Sequence, residues 1–184
     1  LELARQDVDV YILEELKLHV KRLNIDDWRK MVDALISHPK GQVEIAVVGK
    51  YISLRDSYKS IYESLTHGGI SNEVKVNVRM VESEVIEKQG AAKLLDGVAG
   101  ILVPGGFGDR GIEGKILAAG YAREKRLPFF GICLGMQCAV IEFASNACGM
   151  KCANSTEFDA KTPFPVIDLM DSQGRVVLLG LVRD

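Results

Sequence analysis

Hydrophobic positions divide this chain into two stretches of different periodicity. Up to about residue 40 they recur at helical spacing. Leu13, Leu16, Val20 and Leu23 share one helix face, and a second run passes through Trp28, Met31, Val32, Leu35 and Ile36. Asp26 is the expected cap of that second helix, and His38-Pro39-Lys40-Gly41 its stop. Residues 1–40 therefore read as a helical linker or docking arm.

From Val43 onward short apolar runs alternate with amphipathic segments. Strands are expected at Val43–Val48, Val74–Val81, Val98–Val103 and Leu127–Ile132, the last two buried on both faces. Helices are expected from Ser57 to His67, closed by Gly68-Gly69; from Ser83 past Leu95 to Gly97; from Ile112 to Lys125; and from Gly135 to Ala147. This alternation predicts right-handed βαβ crossovers. The fold class is α/β: an open, mostly parallel sheet with helices on both faces, flavodoxin-like. Beyond Asn154 the alternation fails, and Val166–Met170 with Val176–Leu179 reads as an antiparallel hairpin around Asp171-Ser172-Gln173-Gly174.

Composition narrows the chemistry. With 184 residues, 47% apolar and 26% charged, the chain can bury one ordinary core. Its formal charge of −2, from 23 basic and 25 acidic residues, gives no nucleic-acid footprint. Arg123, Lys125 and Arg126 read as the solvated end of a helix. No apolar run is long enough for a membrane span, and Leu1-Glu2-Leu3-Ala4-Arg5 does not open like a signal peptide. Cys133, Cys138, Cys148 and Cys152 form no C-x-x-C pair, so no metal site is expected. They read as free thiols in a reducing cytoplasm, with Cys138, Cys148 and Cys152 as packing residues.

In an open parallel sheet, chemistry gathers at the carboxyl ends of the strands. Three segments fall there: Gly49-Lys50-Tyr51, Pro104-Gly105-Gly106-Phe107-Gly108 and Cys133-Leu134-Gly135. The last belongs to Gly131-Ile132-Cys133-Leu134-Gly135, the cysteine counterpart of the G-x-S-x-G elbow. Glycines two before and two after the cysteine let neighbouring backbone pass close. The helix N-terminus behind Cys133 favours negative charge on sulfur, and the Leu134 amide would point toward an oxyanion. The alternative is a buried cysteine at a glycine-permitted turn; its place after a buried strand favours the elbow. Gly106-Phe107-Gly108-Asp109-Arg110-Gly111 matches G-x-G-x-x-G, but a dinucleotide fingerprint belongs on the first strand of its unit, which here ends Gly49-Lys50-Tyr51. Judged alone, Lys50 serves equally as a solvated lysine or as a phosphate contact. His19, His38 and His67 are poorly placed to act as base for Cys133.

These motifs resemble the class I glutamine amidotransferases, and more narrowly the glutaminase domain of the CTP synthase family. The resemblance rests on Val48-Gly49-Lys50-Tyr51 with Tyr58-Lys59-Ser60, on Val103 to Gly108, on Gly131 to Gln137, and on Ala153-Asn154-Ser155-Thr156-Glu157-Phe158. It implies that residues 1–40 are an interdomain linker and that 41–184 are a partial glutaminase domain, incomplete at its C-terminal end. It implies a Cys133 nucleophile forming a glutamyl thioester, with an oxyanion hole from the amides of Gly106 and Leu134. Gly106, Leu134, Gly135, Met136, Gln137 and Glu157 would line the glutamine pocket, and Lys50, Phe107 and Arg110 would belong to a GTP-responsive lid. The family passes ammonia to a synthetase domain that aminates UTP to CTP with ATP and Mg²⁺, forms homo-oligomers through that domain and is cytoplasmic; no cofactor is implied in the glutaminase half. The family's H-P-E segment, with the catalytic His and Glu, does not occur in these residues. The 184 residues alone are thus expected to show no glutaminase turnover and poor stability. The alternatives are a non-catalytic flavodoxin-like binding module, or another class I glutaminase or DJ-1-like relative.

Overall fold

The computed structural model describes residues 2–19, 24–37, 40–50, 55–106, 108–169 and 176–178. It divides into two units: Leu1–Gln42 with Glu63–Val76, and Val43–Tyr62 with Asn77–Asp184.

The first unit begins with helices α1 (Glu2–Arg5), α2 (Val8–Glu15) and α3 (Asp26–Ser37). The helix expected to run through Val20 and Leu23 ends sooner. Lys17 takes a left-handed φ of 52°, and the amide of Leu18 folds back to the carbonyl of Leu13. Val20 and Leu23 lie outside the described residues. The cap of α3 is also displaced from expectation: the Asn24 side chain accepts from the amide of Asp26, which is already helical. None of these three helices buries a residue, and Tyr11, Trp28 and Ile36 are all exposed. Helix α4 (Lys59–Asn72) passes through Gly68-Gly69 instead of stopping there. It closes at Glu73, whose left-handed φ of 57° allows paired bonds from Val74 to Gly69 and from Glu73 to Ile70. Gly69 is needed for close approach, since a methyl group there would lie 2.7 Å from the carbonyl oxygen of Val74.

The second unit carries the parallel sheet, in the order β2-β1-β3-β4. Strands β1 (Gln42–Gly49), β2 (Lys75–Glu82), β3 (Gly100–Val103) and β4 (Phe129–Gly131) lie close to their predicted positions, the last two shorter than expected. Pairing of β1 with β3 and of β3 with β4 is parallel, aligning Val47 with Leu102 and Val103 with Gly131. Ala46, Val47 and Val48 have no exposed surface, so both faces of β1 are covered. One face packs Ala46, Val48, Ile101 and Val103 against Ile86, Leu95, Ala118 and Ala122. Among the described residues β4 is the last strand of this sheet, and Phe130 is 63% exposed, contrary to a strand buried on both faces.

The helix expected from Ser83 to Gly97 is two, α5 (Ser83–Gln89) and α6 (Ala91–Leu95), broken at Gly90, whose φ of 84° no helix accommodates. Helix α7 spans Ile112–Lys125 and α8 spans Leu134–Asn146. Arg123 is not a solvated charge. It grips the buried carboxylate of Glu142 through Nε and Nη2 at 2.8–3.1 Å, fastening α7 to α8.

A second sheet holds β5 (Ala153–Ser155), β6 (Phe164–Leu169) and β7 (Val176–Leu178). β6 and β7 pair antiparallel as the hairpin pattern predicts, while β5, not expected as a strand, joins parallel to β6. Ala153, Val166 and Ile167 pack on Ile141 and Ala144 of α8, which ties this sheet to the first.

Two glycines should respond oppositely to a methyl group. Gly114 of α7 meets α5 so closely that an added Cβ would sit 1.9 Å from the Ser83 carbonyl oxygen. Gly68 has nothing within 4 Å and a helical neighbourhood. Gly114→Ala should lose about 1–3 kcal/mol of stability by overpacking, and Gly68→Ala should gain up to about 1 kcal/mol from helix propensity. Chemical denaturation of both variants against the parent checks the pair.

Candidate functional site

Because β1, β3 and β4 are adjacent and parallel, the segments following them emerge at the same end of the sheet. Lys50, Pro104–Gly106, Gly108 and Cys133 meet there as the topology requires. Cys133 has φ 52° and ψ −112°, a conformation that L-residues avoid, immediately before the first residue of α8. The turn is held by a bond from the amide of Gly135 to the carbonyl of Ile132, and the Cys133 carbonyl accepts from the amides of Met136 and Gln137.

The two glycines of the pentapeptide are sterically obligatory. A methyl on Gly135 would lie 2.0 Å from the Val103 carbonyl oxygen, and one on Gly131 would lie 2.5 Å from the backbone of Gly135 and Met136. Gly105 packs beside the thiol, where a methyl would be 3.9 Å from the Cys133 sulfur. Cys133 itself is exposed.

It opens into a cleft of about 630 Å³, within the usual size of a small-molecule site. Gly106, Cys133, Leu134, Met136, Gln137 and Glu157 all line it, so the fold gathers these predicted residues from three separate segments. Gly135 is buried at the base of the elbow and does not line the cleft. Buried Gln137 Oε1 has no hydrogen-bond partner among the described residues, an acceptor left for something else. Glu157 is presented by the turn after β5, where its amide donates to Ser155 Oγ.

Lys50 and Arg110 do not line this cleft. Lys50 is buried, and its Nζ donates to the Gly108 carbonyl, which rules out a freely solvated lysine. Burial first, then the neighbouring Arg110, holds its pKa below the ordinary lysine range. Arg110 is exposed and pairs with Glu84 at 2.6 Å. Phe107 lies outside the described residues. Of the other thiols, Cys138 is buried and its pKa is pushed up to about 11 by desolvation. Cys148 and Cys152 are exposed and are not packing residues, because both lie in the turns linking α8 to β5. Among the described residues no His, Cys, Asp or Glu cluster could hold a metal ion, and no helix is long and apolar enough to cross a membrane.

Asp168 and Lys115 are absent from the sequence reading. Asp168 lines the cleft and accepts from Thr156 Oγ1 at 2.6 Å and from the amide of Leu169. These donors, Thr156 first, hold its carboxyl below the usual range. It lies at an alternating strand position with no local signal. Lys115 did carry a signal: it falls on the apolar stripe of α7 with Ile112, Ala119 and Ala122, where a solvated lysine has no place.

A cysteine on a strained strand-to-helix turn, at the carboxyl end of a parallel sheet and beside a glycine-rich loop, has the geometry of an α/β nucleophile elbow. The family model for glutamine amidotransferase class-I matches residues 53–168, and the chain belongs to that family. Within it the chain is similar to CTP synthases. It is 54% identical to that of Caldanaerobacter subterraneus subsp. tengcongensis, over 98% of this chain and 35% of the relative. It is 49% identical to that of Methanocaldococcus jannaschii, over 98% of this chain and 34% of the relative. The chain thus spans about a third of the length of these relatives. Among solved structures, the Trypanosoma brucei CTPS glutaminase domain with bound acivicin superposes with a TM-score of 0.65 at 44% identity, covering 70% of this chain and 50% of that one.

The conformation of Cys133 can be tested directly. Cys133→Gly relieves a strain of about 1–3 kcal/mol, whereas Cys133→Ala removes the sulfur and keeps the strain. The glycine variant should be the more stable of the two by thermal and denaturant unfolding, although glycine elsewhere costs stability. The reverse order would mean that the turn is relaxed.

Proposed function

We propose that this chain is the glutaminase part of a CTP synthase-like enzyme, hydrolysing glutamine through Cys133 and delivering ammonia to a synthetase domain. The observation that carries the reading is Cys133 at its strained elbow, opening into a cleft that also holds Gly106, Leu134, Gln137 and Glu157.

In this reading the Cys133 thiol gives its proton to a base, and the sulfur attacks the side-chain amide carbon of glutamine. The amides of Gly106 and Leu134 receive the negative oxygen of the tetrahedral intermediate. Collapse of that intermediate breaks the C–N bond, the leaving nitrogen takes a proton, and ammonia departs. Water then attacks the glutamyl thioester, releasing glutamate and restoring the thiol. Met136 and Gln137 shape the pocket, with Gln137 Oε1 free to accept from the substrate. Glu157 is the partner for the α-ammonium group, which suits an exposed carboxylate lining the cleft. The base is a histidine oriented by a glutamate, supplied from outside the cleft residues named above.

The rest of the reading follows the resemblance. Ammonia serves the ATP- and Mg²⁺-dependent amination of UTP in the synthetase domain, through which the enzyme forms homo-oligomers in the cytoplasm. GTP acts on the loop that carries Phe107 and Arg110. Lys50 supports that loop from beneath, through its bond to Gly108.

Two measurements test this. Acivicin or diazo-oxo-norleucine should label Cys133 ahead of Cys138, Cys148 and Cys152 in the complete enzyme, read by mass mapping; prior labelling of any of the other three counts against the assignment. Glu157→Gln removes the charge and keeps the shape. Losing one partner of a charge pair that the bound substrate buries costs about 2–5 kcal/mol, so glutamine KM should rise at least tenfold while synthesis from added ammonia is unchanged. An unaltered KM takes Glu157 out of the pocket.

A further inference from the structure

Helix α7 buries a charge for which the proposed reaction has no stated use. Lys115 has no exposed surface, and its Nζ has no hydrogen-bond partner among the described residues. An amine buried without an acceptor opposes folding, so an apolar residue would serve packing better. Its position is specific. A methyl placed on Gly106 would lie 3.4 Å from Lys115 Nζ and 3.9 Å from Leu134 Cδ2. The amine therefore sits directly behind the loop whose Gly106 lines the cleft beside Cys133. Lys50 holds the far end of the same loop at Gly108.

The titratable groups facing Lys115 are the thiols of Cys138 on α8 and Cys133 at the elbow, and the amine of Lys50 just after β1. Burial is the largest influence and disfavours its cationic form; Lys50 acts in the same direction, and negative charge on either thiol acts against them. A cation there is poorly compensated in the resting site and becomes favourable once negative charge forms at Cys133. That is the behaviour of a group set for the charge of a transition state.

We infer that Lys115 is a positioning residue of the Cys133 site: its buried ammonium, behind Gly106, orients and polarises the glycine loop toward the negative charge that develops on sulfur and on the tetrahedral oxygen. The inference rests on Cys133 being the nucleophile. No bond is made or broken at Lys115.

The test is Lys115→Met in the complete enzyme, which keeps length and removes charge. Glutamine hydrolysis should lose about tenfold to a hundredfold in kcat, less than for a direct oxyanion donor. Glutamine KM should stay within about twofold, synthesis from added ammonia should persist, and thermal stability should hold or rise. The alkaline limb of the wild-type kcat profile, lying below the ordinary lysine range, should vanish in the variant. An unchanged kcat, or an unchanged alkaline limb, overturns the inference. So does parallel loss of glutamine- and ammonia-dependent synthesis in both Lys115→Met and Lys115→Gln, which marks a lysine needed only for folding. A wild-type enzyme that hydrolyses no glutamine and is not labelled at Cys133 overturns the nucleophile assignment itself, and this inference with it.

Discussion

The carbonyl oxygen of Val103 has two neighbours, and the site depends on both. It accepts the amide of Ile132 at 2.9 Å, which fixes the end of β4 against β3. It also lies so near Gly135 that no side chain fits between them. The chain must therefore leave β4 and enter α8 within a space that admits only backbone. A left-handed φ at Cys133 is the consequence: the turn cannot be made otherwise and still bring α8 down onto the strand. The strain is local, and it is held by packing on every side, from buried Leu134 and Cys138 to Ile141 further along α8.

Strand order converts that constraint into a site. Parallel neighbours send their connections out at the same end, so the loop after β3 lies beside the elbow after β4 with no further device. What remains is to hold the loop, and here the fold uses buried lysines. Lys50 ties down Gly108 from β1, and Lys115 stands behind Gly106 from α7. Two lysines buried at one loop are costly to a fold: burial disfavours the charged form of each, Lys50 disfavours that of Lys115, and Arg110 that of Lys50.

The opposite wall of the cleft comes from the second sheet. It has no covalent reason to be near the elbow; it is there because Ile141 and Ala144 of α8 pack on Ala153, Val166 and Ile167. The helix that begins at Cys133 therefore also positions the turn that presents Thr156 and Glu157. The bond from Thr156 to Asp168 joins that turn to β6, so the carboxylate side of the cleft is braced across two strands.

Periodicity and glycine spacing by themselves determined the alternating α/β order, the parallel sheet, the elbow and the gathering of Cys133 and the Gly106 loop at one end of that sheet. These are local properties: a buried strand is continuously apolar, and a turn that admits only backbone must be written in glycine. Glu157 entered only through the resemblance carried by Asn154 to Phe158. Helix limits were legible for Ile112–Lys125 and within a residue for Leu134–Asn146, but glycines misled elsewhere. Gly90 broke a helix that the apolar spacing alone would have continued, and Gly68-Gly69 failed to stop one because Gly69 was needed for packing and not for a cap. The tertiary structure alone decided the rest. Phe130 is exposed on β4, which among the described residues has a neighbour on one side only, and no window of sequence records that. Arg123 finds a buried carboxylate nineteen positions away, Asp168 faces the cleft through a pairing across strands, and Lys115 is buried beneath a loop. In each case the deciding partner is distant in sequence, and burial and charge pairing are set by what the fold brings near.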